Sequence, residues 1–157
     1  MPEYEIRQMQ EAELDAVTQL LRDASEYSWN ARQIRDSLQA ENNSSYLLCD
    51  KDSGQILAYA VFLTVLDECQ LLNIAVERSQ QGRGLGYLFL QELIEAAGKT
   101  DTHSFFLEVR ASNHVAIRLY EKLGFVKTGI RKNYYQGVEG SKEGREDAWL
   151  YSLSLLS

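Results

Sequence analysis

Apolar residues recur along this chain with two different periods, and the switches between them mark out its elements. Residues 4–9 alternate and read as an edge strand. Across 11–22, Leu14, Val17, Leu20 and Leu21 stand at three- and four-residue steps, which predicts an amphipathic helix. Asn30 is placed to cap a second helix that carries Ile34 and Leu38. Residues 45–49 and 55–65 flank the turn segment Asp50-Lys51-Asp52-Ser53-Gly54 and read as a hairpin, and 68–76 adds a third strand.

The second half repeats the alternation of types. Leu85, Leu88, Phe89, Leu93, Ala96 and Ala97 predict a helix over 84–97. Phe105, Phe106, Leu107 and Val109 predict a buried strand over 103–109. Asn113 caps a short helix that Gly124 ends, and strands follow at 125–134 and 148–156 around a polar, glycine-containing loop at 136–144. The strand at 68–76, the helix after it and the strand at 103–109 form a βαβ unit, so those two strands are expected to be parallel and the others antiparallel. A mixed α/β sheet with helices on both faces follows. No linker or repeat divides the 157 residues, and one domain over 1–157 is expected.

A net charge of −7 repels nucleic-acid phosphates and favours a cationic partner such as an amine or a basic peptide. Cys49 and Cys69 show no metal-ligand spacing and suggest reduced, buried thiols, so neither a disulfide framework nor a metal is expected. His103 and His114 receive no role. The first residues show no basic segment leading into an apolar one, and the longest apolar stretch, 56–66, is too short to span a bilayer. A cytoplasmic protein without membrane contact is the expectation.

The run Gln81-Gly82-Arg83-Gly84-Leu85-Gly86 lies between the strand at 68–76 and the helix at 84–97. Strand, glycine loop and helix in that order build an anion cradle. Glycine lets the backbone come close, and the helix start offers unpaired N–H groups. It is not a Walker A loop, which would end in Gly-Lys-Ser/Thr. A dinucleotide fingerprint also fails, because Tyr87 and Phe89 stand where its third small residue belongs.

Gln81, Gly84 and Gly86, in Gln-x-x-Gly-x-Gly spacing, resemble the acetyl-CoA pyrophosphate loop of the GCN5-related N-acetyltransferase (GNAT) family. Leu107-Glu108-Val109-Arg110-Ala111-Ser112-Asn113, Ala116-Ile117 with Leu119-Tyr120-Glu121-Lys122-Leu123-Gly124-Phe125, Ile130-Arg131-Lys132-Asn133-Tyr134-Tyr135 and Gly144-Arg145-Glu146-Asp147-Ala148 are similar to its ribosomal-protein-alanine branch, the RimI type. The resemblance implies a mostly antiparallel seven-stranded sheet around a central parallel βαβ unit. It also implies direct acetyl transfer from acetyl-CoA to the N-terminal alanine of a basic small-subunit ribosomal protein. Gln81, Gly82, Arg83, Gly84, Leu85, Gly86 and Tyr87 would bind the cofactor's pyrophosphate, and Ile74, Ala75 and Val76 would pair with its pantetheine arm where two strands splay. Asn113 would contact it too. Glu108 would be the general base and Tyr120 would supply the proton for the leaving thiolate. The loop at 136–144 is longer than the family pattern and lacks a proline after the tyrosine pair.

Each of these residues also has a plain structural reading. Glu108 shares a face with Phe106 and Arg110 and is either an exposed or arginine-paired carboxylate or a base, because an isolated carboxylate is costly in a central strand. Tyr120 lies on the apolar stripe of its helix with Ala116, Leu119 and Leu123 and suits the core. Asn113 is a helix cap, and Ile74 to Val76 are core strand residues. A lysine side chain or small amine is the alternative acceptor, and a non-catalytic acetyl-CoA-binding module is the alternative class.

Overall fold

The computed structural model describes residues 3–25, 27–135 and 145–155. In chain order it contains β1 (Tyr4–Gln8), α1 (Leu14–Ala24), α2 (Ala31–Gln39), β2 (Asn43–Asp50), β3 (Ile56–Val65), β4 (Glu68–Val76), α3 (Leu85–Gly98), β5 (Ser104–Arg110), α4 (His114–Lys122), β6 (Val126–Tyr135) and β7 (Glu146–Ser154). This is the succession that the hydrophobic pattern predicts. The expected loop at 136–144 and the expected strand end at 156 lie outside the described residues. The helix expected from residue 11 begins instead as a 3-10 turn, Glu11–Glu13, and becomes α-helical at Leu14.

The strands form one sheet in the order β1-β2-β3-β4-β5-β7-β6, with β7 inserted between β5 and β6. Only β4 and β5 run parallel among the paired strands. The crossover through α3 forces this, because a parallel neighbour needs a long return. The fold is a mixed, mostly antiparallel seven-stranded α/β sheet.

Each face of the sheet has its own core. Leu85, Phe89, Leu90, Leu93 and Ile94 of α3 and Ile117 and Tyr120 of α4 pack on Phe62, Leu71, Phe105, Leu107, Val109 and Tyr151. On the other face Leu14, Val17, Leu21 and Ile34 cover Leu47, Cys49, Tyr59 and Val61. That second cluster draws on β2, β3 and β4 and, among the described residues, on nothing from β5, β6 or β7. Half of this face therefore has no helix over it. The strand expected to be buried at 103–109 is buried only toward α3 and α4, and Phe106, on the opposite face, is 38% exposed. Asn30 caps α2 as expected, in a capping box with Gln33. Cys49 and Cys69 are free and buried.

One irregularity shapes the centre of the sheet. Val61 pairs with Asn73 but Phe62 pairs with Leu71, so Leu72 is an extra residue in β4. Such a bulge bends its strand and reverses which residues face which side. Leu71 thus packs under α3, Leu72 joins the opposite core, and beyond it Ile74 and Val76 return to the α3 side while Ala75 faces the other.

An ion pair closes the edge of the sheet. Arg7 Nη1 donates to Glu13 Oε1 at 2.8 Å, and the Gln10 amide donates to the same carboxylate at 2.8 Å. The arginine hydrogen bond holds the Glu13 carboxyl below its ordinary range. A carboxyl depressed by folding contributes stability in full above its unfolded pKa of about 4.3, and loses it as pH falls through the lower folded value. Urea unfolding is therefore expected to find wild type more stable than Glu13→Gln by up to about 1 kcal/mol at pH 7. The two should converge as the pH drops below about 4.

Candidate active site

The centre of the site is a gap between two strands. β4 and β5 pair from Glu68↔Ser104 to Leu71↔Leu107 and then stop, although β4 continues to Val76 and β5 to Arg110. Each stays paired on its outer edge, Val76 with Ala58 of β3 and Arg110 with Ala148 of β7. The main-chain groups that Leu72–Ala75 and Glu108–Val109 turn toward each other have no strand partner across the gap, an arrangement that a sheet interior does not normally tolerate. Ile74, Ala75 and Val76 line one side of this gap, and Glu108 stands on the other.

At the wide end of the gap the glycine loop takes a defined shape. Gly82 has φ +84° and Gly84 φ +77°, and an added Cβ at either would meet nothing within 4 Å, so it is backbone conformation that calls for glycine there. Gly84 is the N-cap of α3, and the first-turn amides of Leu85, Gly86 and Tyr87 follow it. Gly86 differs from these: a Cβ there would meet Leu119 at 3.5 Å and Val76 at 3.6 Å, ordinary contact distances, where α3, α4 and β4 come together. The Gln81 side chain donates to the Val76 carbonyl at 3.0 Å and ties the loop to the end of β4. Arg83 donates to Gln80 at 3.4 Å, and the Tyr87 ring lies 4.7 Å from the Lys122 ammonium. Asn113 caps α4, accepting from the Ala116 amide at 3.2 Å.

Glu108, Tyr120 and Tyr135 converge from β5, α4 and β6. The Glu108 side chain is 20% exposed and lies 3.4 Å from Arg131 Nη2, so it is both arginine-paired and placed at the gap. Burial pushes the Tyr135 phenol up to about 12, and the nearby Glu108 carboxylate adds to the rise. Tyr120 is 5% exposed and packs edge-on against Phe125 at 5.9 Å. Burial pushes its phenol upward, with Tyr135 as the second cause. Tyr120 is thus a core residue as its stripe suggested, with Tyr135, the tyrosine that neighbours Glu108, close enough to act on its phenol.

Several neighbours are visible only in three dimensions. Arg110 is held between two rings, 3.6 Å from the Tyr27 centroid and 4.5 Å from that of Tyr135. Its Nη1 lies 3.1 Å from Glu146. Burial opposes the charge on Glu146, but the Ser112 hydroxyl, Arg110 and the Ser112 amide together hold its carboxyl below the usual range. Arg110 thereby ties the α1–α2 connection to β6 and β7 over the uncovered half of the sheet. A cavity of about 550 Å³ elsewhere, between α3 and β1–β2, is lined by none of these residues.

Two cation–π faces in a partly dry place contribute on the order of 1–2 kcal/mol. Arg110→Met should therefore speed amide exchange around Tyr27 by about five- to thirtyfold, while protection of α3 stays as in wild type. Hydrogen-exchange mass spectrometry reads both segments at once.

With this geometry in place, comparison with known proteins is decisive at the level of family. The chain matches the Acetyltransferase (GNAT) family over residues 14–125. It is 36% identical over 150 residues to the ribosomal protein bS18-alanine N-acetyltransferase of Escherichia coli (strain K12), covering 96% of this chain and 97% of that protein. The crystal structure of the ribosomal-protein-S18-alanine N-acetyltransferase from Escherichia coli has a TM-score of 0.86 over 97% of this chain and 94% of its own. Arabidopsis thaliana NAA60 in complex with acetyl-CoA shares the fold at 17% identity and a TM-score of 0.83, over 99% of this chain and 100% of that one. A family match across most of the chain and a close relative aligned over nearly all of it establish that this chain belongs to the GNAT acetyltransferases.

Proposed function

We propose that this protein transfers the acetyl group of acetyl-CoA to the N-terminal alanine α-amine of a small-subunit ribosomal protein in the cytoplasm, within one ternary complex. The observation that carries the reading is the parted β4–β5 pair with Glu108 at its edge. Unpaired main-chain groups suit an extended amide-containing arm, and a carboxylate stands beside the place where that arm ends. The relatives named for bS18-alanine acetylation support the choice of acceptor.

The residues fit acetyl-CoA part by part. Amides at the start of α3, with the left-handed turns at Gly82 and Gly84, suit its diphosphate, and Gln81, Arg83 and Tyr87 frame that loop. Ile74, Ala75 and Val76 offer main-chain groups to the pantetheine arm as a neighbouring strand would, and their amides polarise the thioester oxygen. Asn113 adds a polar contact at the start of α4. Bound acetyl-CoA supplies an activated acyl group that needs no covalent enzyme intermediate.

Glu108 takes the proton from the incoming amine, directly or through a water, and Tyr120 donates toward the sulfur that leaves. The demand on the base is small. An α-amine of pKa about 7.7–8.0 is roughly ten per cent neutral at pH 7, whereas a lysine near 10.4 is under about a thousandth neutral. That difference favours an N-terminal acceptor over a lysine side chain. The net charge of −7 suits a basic acceptor tail.

The test of the acceptor is a peptide panel that differs only at the first residue: thiol release with free alanine, lost when that amine is blocked, is the expected result. Turnover that instead follows an internal lysine would overturn it. For the site, Glu108→Gln is expected to lower kcat by about a hundredfold or more and to move the pH optimum upward, with acetyl-CoA affinity retained by calorimetry. Gly84→Ala must hold a side chain at φ +77°, a strain of about 1–2 kcal/mol. It should weaken acetyl-CoA binding at least about tenfold while thermal unfolding remains cooperative.

A further inference from the structure

The uncovered half of the sheet does not end at Glu108. One pleat step along β5 on the same face stands Phe106, and the strand register lays a row across the sheet through it. Leu63 of β3 pairs with Gln70 of β4, Gln70 with Phe106, Phe106 with Ser152 of β7, and Ser152 with Val126 of β6. Val65 is 51% exposed, Phe106 38% and Val126 61%. Leu63, Val65, Glu68, Gln70 and Phe106 line a groove of about 260 Å³ on this row. A sheet face with apolar side chains and no layer over it is an energetic anomaly in a folded domain.

Two further observations bear on what covers it. The β3–β4 turn that closes the row presents Leu66 at φ +56° and 91% exposed. A leucine there bears about 1–2 kcal/mol of backbone strain and gains nothing from burial. Charge is the second. Glu108 and Glu146 on this half-face are matched by Arg131 and Arg110, but Glu68 in the groove makes no ion pair among the described residues. The strip is therefore apolar with an unmatched negative charge, and it is continuous with the site assigned to the acceptor amine.

We propose that the strip is a second docking surface for the acceptor polypeptide. While the amino terminus sits at Glu108, a downstream stretch bearing apolar side chains and a basic residue passes Phe106 and lies in the groove of Gln70, Leu63, Val65 and Glu68. This rests on the acceptor reading given above. From Phe106 on β5 to Leu63 on β3 is two strand spacings, ~10 Å or about three extended residues, and the step from Glu108 to Phe106 uses about two more. An acceptor of four residues stops short of Gln70, and one of twelve passes Leu63, Val65 and Glu68.

The test compares alanine-started peptides of four and twelve residues, the longer carrying leucine, phenylalanine and arginine downstream, with wild type, Val65→Ser and Glu68→Lys. In wild type the longer peptide is expected to have a KM about five- to thirtyfold lower at equal kcat, as uniform binding requires. Both substitutions should raise the KM of the long peptide toward that of the short one and leave the short peptide's constants alone. Glu68→Lys should also lower the KM of a long peptide whose arginines are replaced by glutamates. Equal KM for both lengths in wild type, or a long-peptide KM unmoved in both variants, would overturn the docking surface while short-peptide turnover kept the acceptor reading intact. A dimer lost in Val65→Ser with KM unmoved would assign the strip to a second copy and overturn the proposal as well. No turnover of either peptide by wild type would overturn the acceptor reading and this surface together.

Discussion

Parallel strands in the middle of a sheet ordinarily spend their facing N–H and C=O groups on each other, and here two of them part after Leu71 and Leu107. Everything distinctive about the molecule follows from making that gap tolerable. Each strand keeps its outer partner to the end, β3 on one side and β7 on the other. The extra residue Leu72 bends β4, so an irregularity sits in one of the two parting strands, just where they separate. Gly86, Leu119 and Val76 meet on the α3 side of the gap, where α3, α4 and β4 come together. The hinge residues are apolar and the open edges are main chain, so a ligand with amide groups gains hydrogen bonds that the folded protein forgoes.

The opposite side of the gap is handled by charge instead of packing. Among the described residues no helix covers β5, β6 and β7 on this side, and the carboxylates Glu108 and Glu146 there each have an arginine, Arg131 and Arg110. Arg110 does more than neutralise. Its flat guanidinium fits between Tyr27 and Tyr135, which a lysine ammonium would not do, and so it sets the separation of two chain segments distant in sequence. The same tyrosine borders Glu108 and Tyr120. Movement of the α1–α2 connection therefore reaches the groups around the gap through one cation.

Local pattern carries much of this and stops at a definable point. The strand at 68–76 and the cap at Asn30 were legible because each depends on a handful of adjacent residues. The parallel pair was legible because a helix of α3's length leaves the chain no other return. That Glu108 shares a face with Phe106 and Arg110 followed from a period of two; that this face lies opposite the α3 core did not. The bulge at Leu72 was not legible, since an extra residue exists only relative to the register of β3. Nor was the insertion of β7 between β5 and β6, because nothing within either strand specifies its neighbour. Phe106 looked buried because it stands in the apolar run Phe105-Phe106-Leu107, although its own face also carries Glu108 and Arg110; its exposure depends on where α1 and α2 stop. Arg110, Arg131, Tyr135 and Glu146 stood inside the motifs that resemble the family, yet their pairings cross between strands. Tyr27 lies in an aperiodic connection that gave no signal beyond an aromatic among polar residues.

Burial of Tyr120 refines what such a residue can do for a departing thiolate. Even an ordinary phenol, at about 10, holds its proton more tightly than a thiol at about 8.5, so complete transfer is uphill by about 2 kcal/mol. In this site burial raises the phenol further, which makes full transfer to a solvated thiolate less favourable still. The same dryness acts on the sulfur. A thiolate forming beside Tyr120 is as poorly solvated as the phenolate would be, so its proton affinity rises alongside. Matched in this way, the two would share, under the proposed role of Tyr120, a short charge-assisted hydrogen bond as negative charge gathers on sulfur, a stabilisation that needs no proton to have moved first. The buried ring packed against Phe125 holds the hydroxyl at a fixed place, so little reorganisation is required when the charge appears. On this account the core position of Tyr120 and its proposed chemical role are one fact, because the packing that hides the ring is also what keeps the phenol protonated and aimed.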